Sequence, residues 1–213
     1  MLRSVKRALA GAALVVAATP VSAADAMTPP DVLVKQVTLE VVSIIKSDKD
    51  IQSGDRQKII GLIEAKVLPH FDFTSMTATA VGLSWRKASP EQKTRLTEEF
   101  KTLLVRTYAS ALAAYSDQRF DFRPLHARPS DTDVTVQVRI IQPGAQPVPI
   151  DYGMEKTSSG WQAYDVSVGG VSLVANYRTE FGNIVRAEGI DGLIRSLHTK
   201  NASLAHSGEP GKK

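Results

Sequence analysis

His70 stands two residues before Asp72 in the stretch Leu-Pro-His-Phe-Asp-Phe, and an imidazole near a carboxylate can begin a metal site or an acid–base pair. A metal site needs further ligands. Of the 4 histidines, His126 precedes a turn, His198 falls near the end of the last helical stretch, and His206 lies in the polar C-terminal segment. No second ligand cluster accompanies His70, which favours a structural role for it. The chain has no cysteine, so thiol catalysis and Cys-ligated metals are excluded. It carries no Gly-x-Ser-x-Gly elbow, phosphate-cradling glycine loop or His-Glu-x-x-His motif. Asp72 and Asp165 remain as candidate general bases, because a carboxylate buried in a cone-shaped α+β fold can have its pKa raised enough to abstract a proton. The simpler role for either is an acid neutralised by Arg86 or Arg178, and no oxyanion partner is visible.

The large amphipathic rings offer a different chemistry. Trp85, Trp161, Tyr152 and Tyr177 are ordinary core residues taken one at a time. Together they could line an apolar pocket whose mouth is polar, where a ring with one wet end does well. Trp161 and Tyr177 flank Gly169-Gly170, a joint at which period-two alternation gives way to helical spacing at Val174, Tyr177 and Phe181. The glycine pair reads as a strand-to-helix turn that needs unusual φ.

The elements that must position these residues can be read from their periods. Leu33, Val37, Val41, Ile44 and Ile45 form one helical stripe after Thr28-Pro29-Pro30, and a polar break from Ser47 to Gly54 follows. Ile59, Leu62, Ile63 and Val67 mark a second helix ended by Pro69, then a connecting region runs from His70 to Arg86. Ser89-Pro90-Glu91-Gln92 is a capping box with Pro at the first helical position. It opens a helix expected to run through Tyr108 and Tyr115, about 40 Å at 1.5 Å per residue. Four period-two runs come next: Phe120 and Phe122; Val134, Val136, Val138 and Ile140; Val148, Ile150, Tyr152 and Met154; and Gly160 to Val168. The short links between them (Arg128-Pro129-Ser130-Asp131, Gln142-Pro143-Gly144, Thr157-Ser158-Ser159-Gly160) imply an antiparallel meander. Pro147 and Pro149 in the third run predict a strand with a free edge or a late start. Two helices, Ser172 to Val185 and Gly189 to about Lys200, close the chain. The expected fold is α+β, a twisted four-stranded antiparallel sheet covered by several helices, an arrangement that resembles the NTF2-like cone.

The first two dozen residues read as an export signal. Arg3, Lys6 and Arg7 precede the apolar run Ala8 to Ala18 and the small residues Val21-Ser22-Ala23. Cleavage is expected after Ala23 or Ala24, giving a signal at 1–23, one domain at 24–200 and a disordered tail at 201–213. Without the three signal cations, 23 basic residues face 22 acidic ones. Nucleic-acid binding loses its electrostatic support at that balance. No apolar run approaches the ~20 residues that a membrane helix needs. The expected product is soluble and exported.

Two stretches carry a resemblance to a known family. "LPHFDFTSMTATAVGLSWRKASPEQKTRLTEEFKTLLVRTYASAL" (68–112) and "GWQAYDVSVGGVSLVANYRTEFGNIV" (160–185) resemble the toluene-tolerance, or MlaC, family of periplasmic phospholipid-binding proteins. The most specific elements are F-D-F after a Pro, L-S-W-R before a helix, and W-x-x-Y-D-V-x-V-x-G-V-S-L-V-x-N-Y-R-x-x-F. Gly169 departs from the pattern, since members often carry an acid there. The resemblance implies a non-enzymatic carrier with a deep apolar cavity for acyl chains and no cofactor. It implies partners as well: an inner-membrane ABC transporter with an MCE subunit, and an outer-membrane lipoprotein–porin complex. Expected lining residues from the helical half are Phe73, Met76, Trp85, Phe100, Leu104 and Tyr108. From the sheet and the joint they are Val138, Ile150, Tyr152, Trp161, Val171, Val174, Tyr177 and Arg178. Leu104, Tyr108, Val138, Ile150 and Val174 are expected to face one shared interior. Arg178, at the border of its helix's apolar face, could hold a phosphate or pair with Asp165.

Overall fold

Side chains at the helix starts set most of the boundaries in this computed structural model, which describes residues 27–113, 118–128 and 130–206. The expected export signal, Tyr115, Pro129 and the end of the tail lie outside the described residues. Helix α1 (Pro30–Ser47) has Pro at its first turn, where a missing N–H costs nothing, with Asp31 near its start and Lys46 near its end. Asp48 accepts from the N–H groups of Asp50 and Ile51 and opens a short helix α2 (Lys49–Gln52) inside the expected polar break. Asp55 does the same for α3 (Arg56–Lys66), which ends in a 3-10 turn at Leu68–His70. Asp72 caps α4 (Phe73–Val81), so the region expected as a connection holds a helix. Gly82 closes it at φ 67, and a 3-10 turn Gly82–Lys87 leads on. The capping box forms as read: Gln92 N–H donates to Ser89 Oγ at 3.2 Å, and Ser89 N–H donates to Gln92 Oε1 at 3.0 Å. It starts α5 (Pro90–Ala113).

The sheet has five strands in the order β1 (Arg119–Phe122), β2 (Asp133–Ile141), β3 (Val148–Thr157), β4 (Gly160–Val168) and β5 (Val171–Ser172), all antiparallel. The expected four are joined by the two-residue β5. Gly169 and Gly170 stand at φ 61 and 83, the two-residue turn that matches strand twist, so the joint is a β4–β5 hairpin before it is a helix start. Of the two expectations from its prolines, a free edge or a late start, β3 shows no free edge: it lies inside the sheet, beginning at Val148 just after Pro147. Pro149 accepts from Gly169 N–H at 2.9 Å, so its N–H-less side faces the point where β4 has already turned away. Helix α6 (Leu173–His206) bends at Gly189, φ 73, into two helices. Its second half continues past Lys200, so Asn201 to His206, expected as aperiodic tail, are helical, with Asn201 buried.

A β-bulge sets which β4 side chains face inward. Met154 pairs with Ala163 and Gly153 with Asp165, leaving Tyr164 as the extra residue. The alternation therefore changes phase: Trp161 and Ala163 are inward before the bulge, Val166 and Val168 after it. Tyr164 turns outward across Gly153, where an added Cβ would meet its ring at 3.1 Å.

Candidate functional site

Buried apolar side chains form three clusters rather than one. The first joins α4, α5 and α6 through Met76, Phe100, Leu103, Val174, Tyr177 and Phe181. The second joins α1 to the inner sheet face through Val34, Val136, Val138, Met154 and Trp161. The third lies among α1, α2, α3 and α5 around Val41, Ile45, Ile59 and Ile63. A domain of this length ordinarily packs one continuous core. Here the clusters are held apart by a cavity of about 460 Å³ that draws wall residues from each: Met76 and Leu104, Val34 and Met154, Val41 and Ile63. That volume lies in the usual range for ligand sites, about 300–1,000 Å³.

Among the described residues the wall contains no Lys, Arg, Asp or Glu side chain. Its polar side chains are Thr38, His70, Tyr108 and Tyr152. Burial pushes the Tyr152 phenol up to about 12. Tyr108 lies at the boundary with the solid helical core beside Tyr177, whose phenol is pushed up to about 12 by burial and then by the Tyr108 neighbour. A wall this apolar can desolvate hydrocarbon.

The two candidate bases have structural employment. Asp165 Oδ1 accepts from Val166 N–H at 2.8 Å and from the Ser172 hydroxyl at 2.8 Å. Ser172 Oγ in turn accepts from Ala175 N–H at 2.9 Å, so Asp165 fixes the hydroxyl that caps α6. It is absent from the cavity wall. Arg178 is exposed on the outside of α6, its guanidinium near enough to Gly82 that a Cβ there would meet Nε at 3.5 Å. Neither Arg178 nor Arg86 forms an ion pair among the described residues. Asp72 Oδ1 accepts from Ser75 N–H at 2.9 Å and its Oδ2 from the Ser75 hydroxyl at 2.8 Å. Burial alone would raise its pKa, but the Ser75 bonds, with help from Glu155 and the Thr74 N–H, hold the carboxyl below its ordinary value. A general base near neutrality needs the opposite shift. No group of three or more His, Asp or Glu side chains among the described residues is placed to hold a metal ion.

The Asp72 cap has a measurable pH signature. Because its folded pKa is depressed, its stabilisation is complete above the unfolded value near ~3.9 and is lost as pH falls through the lower folded value. Asp72→Ala should cost about 1 kcal/mol at neutral pH. Melting curves of variant and wild type should converge in acid, and a gap that persists below about pH 2 would remove the cap from the account.

A hollow α+β domain of this kind has known counterparts. A family model described as MlaC protein matches residues 35–199. The chain belongs to the MlaC family. Curated relatives include the toluene tolerance protein ttg2D of Pseudomonas putida, 25% identical over 85% of this chain and 84% of that protein. Another is the intermembrane phospholipid transport system binding protein MlaC of Haemophilus influenzae, 25% identical over 82% of this chain and 83% of that one. Among solved structures, the phospholipid-binding protein of Ralstonia solanacearum, determined in complex with a phospholipid, is 37% identical. It superposes with a TM-score of 0.76, covering 82% of this chain and 98% of that chain.

In this MlaC-family chain the candidate lining residues separate into two layers. Phe73, Met76, Leu104, Tyr108, Ile150 and Tyr152 reach the cavity wall. Phe100, Val174 and Tyr177 lie behind it in the helical cluster, with Trp85 packed against that cluster. Val138 and Trp161 are packed solid between α1 and the sheet. Val171 begins the edge strand β5 and is 58% exposed, which takes it off the wall. Of the five residues expected to share one interior, Val138 and Val174 therefore do not reach it. The wall also contains much that the sequence reading passed over: Val34, Val37, Val41, Val42 and Ile45 from α1, and Val166, Val168 and Leu173 near the hairpin. The helical stripe of α1 was the available signal for the first group. Nothing in the sequence marks the bulge that brings in the second.

Proposed function

We propose that this protein is a periplasmic phospholipid carrier that shelters acyl chains in the cavity between α1, α5 and the sheet. On this reading it moves lipid between an outer-membrane lipoprotein–porin complex and an inner-membrane ABC transporter with an MCE subunit, and so maintains outer-membrane lipid asymmetry. The observation that carries the proposal is the uncharged cavity bounded by three separate apolar clusters. The phospholipid held by the Ralstonia solanacearum relative supports it.

The physical need for such a cavity is large. Exposing about 30 acyl methylenes to water costs over ~20 kcal/mol at ~0.8 each, so a lipid does not cross an aqueous space unaided. A carrier must also release its cargo, so its affinity should stay near that of a bilayer. A wall of aliphatic side chains meets both demands. No helix among the described residues is long and apolar enough to cross a membrane.

Protein purified from a Gram-negative periplasm and extracted with organic solvent should yield intact diacyl phospholipid in near-stoichiometric amount by mass spectrometry. Prolonged incubation should leave that lipid chemically unchanged. Lysophospholipid accumulating with time, or delipidated protein that takes up no lipid from vesicles, would overturn the proposal.

A further inference from the structure

Tyr152 is a hydrogen-bonding group placed where the described residues give it nothing to bond. It lies on β3 directly opposite Val136 of β2 and Val166 of β4, both buried on the inner face of the sheet. Tyr152 lines the cavity and keeps part of its surface free there. No hydrogen bond to its hydroxyl is present among the described residues. Buried tyrosine hydroxyls nearly always have a partner. Tyr164 follows that rule, bonding Asp133 at 3.2 Å on the outer face.

The missing partner must suit its surroundings. A phenol held protonated this firmly acts as a donor at any physiological pH. No Lys or Arg among the described residues lines the cavity, so a phosphate or carboxylate brought to Tyr152 would be a buried charge without a permanent counter-charge. A neutral acceptor is needed. An acyl chain offers one such atom, the carbonyl oxygen at its head. We propose that the Tyr152 hydroxyl donates a hydrogen bond to an acyl carbonyl oxygen of the cargo and so fixes how deeply the chains enter. This rests on the lipid-carrier reading and adds to it a positioning residue. An ester carbonyl of a phospholipid and the uncharged carboxyl of a fatty acid offer the same acceptor, and binding measurements distinguish them.

The test compares delipidated wild-type protein and Tyr152→Phe against three probes in competition with a fluorescent lipid: diacyl phosphatidylglycerol, its dialkyl ether counterpart without carbonyls, and oleic acid. Wild type should bind the diester roughly two- to tenfold tighter than the diether, the effect of one net hydrogen bond. The Phe variant should lose that preference while binding the diether as wild type does. Its delipidated form should melt no lower than wild type, since the substitution removes no hydrogen bond within the described residues. If the variant instead weakens only oleic acid binding, the hydrogen bond stands and the carbonyl belongs to a fatty acid. An ester-to-ether ratio equal in both proteins, with oleic acid binding unchanged, overturns the inference and leaves the carrier reading intact. Failure of wild type to bind any of the three overturns both.

Discussion

Replacing Ile150 by Trp should empty the cavity and leave the fold standing, while the same replacement at Val138 should damage the fold. The two residues are direct cross-strand partners on the inner face of the sheet, so they share secondary structure, depth and polarity. They differ in what lies above them. Ile150 lines the cavity and keeps part of its surface free, whereas Val138 is 2% exposed and packed in the cluster with Val34 and Trp161. An indole at Ile150 grows into space that acyl methylenes would occupy. Displacing two methylenes at ~0.8 kcal/mol each already weakens binding about tenfold. An indole at Val138 has no space to enter, and overpacking of that kind costs about 1–3 kcal/mol. In a domain of this size that lowers the melting temperature by about 2–12 °C. The lipid-to-protein ratio by mass spectrometry and the melt of delipidated protein read the two effects separately. If Ile150→Trp melts as low as Val138→Trp and keeps its lipid, the space above Ile150 is not where the cargo lies.

That pair also marks the limit of what the sequence discloses. The α+β class, the meander, the capping box at Ser89 and the apolar stripes of α1 and α5 were legible because each depends on residues close together in the chain. Whether a stripe faces solid packing or a void depends on how far apart the elements are held. Val138 and Ile150 have the same pattern and different surroundings. Helix α1 suffers most from this. Its stripe of Leu33, Val37, Val41, Ile44 and Ile45 reads as ordinary core, yet all but Ile44 line the cavity. Asp165 was misplaced for a more local reason. Strict alternation from Trp161 and Ala163 would point Asp165 inward, where it would look like a buried base. The bulge at Gly153/Met154 shifts the phase of β4 and sends Val166 inward in its place. The extra residue, Tyr164, is accommodated by Gly153, which has no side chain to meet its ring. Two positions on neighbouring strands thus decide the matter together, and neither signals it alone.

Phe100→Ala should cost about 3–5 kcal/mol and still leave lipid binding in the molecules that fold. Its type and helical position suggested a lining residue, but Phe100 is 0% exposed and lies behind the wall. Its ring meets Tyr177 edge-on at 5.2 Å and Phe181 edge-on at 5.3 Å, joining α5 to the first half of α6. Contacts of that geometry add ~0.5–1.5 kcal/mol each to the burial they accompany. Truncation leaves a void among close-packed rings, and the melting temperature of delipidated protein should fall by about 6–20 °C. The cavity wall itself is untouched. Added phospholipid should therefore raise the melting temperature of Phe100→Ala by about the same free energy as in wild type, because that increment depends only on lipid concentration and the dissociation constant. Ile150→Trp should show the reverse: a near-normal melt without lipid and little increment with it. A lipid increment lost in Phe100→Ala would place the aromatic triad in contact with cargo and make the solid and hollow halves of the domain one site.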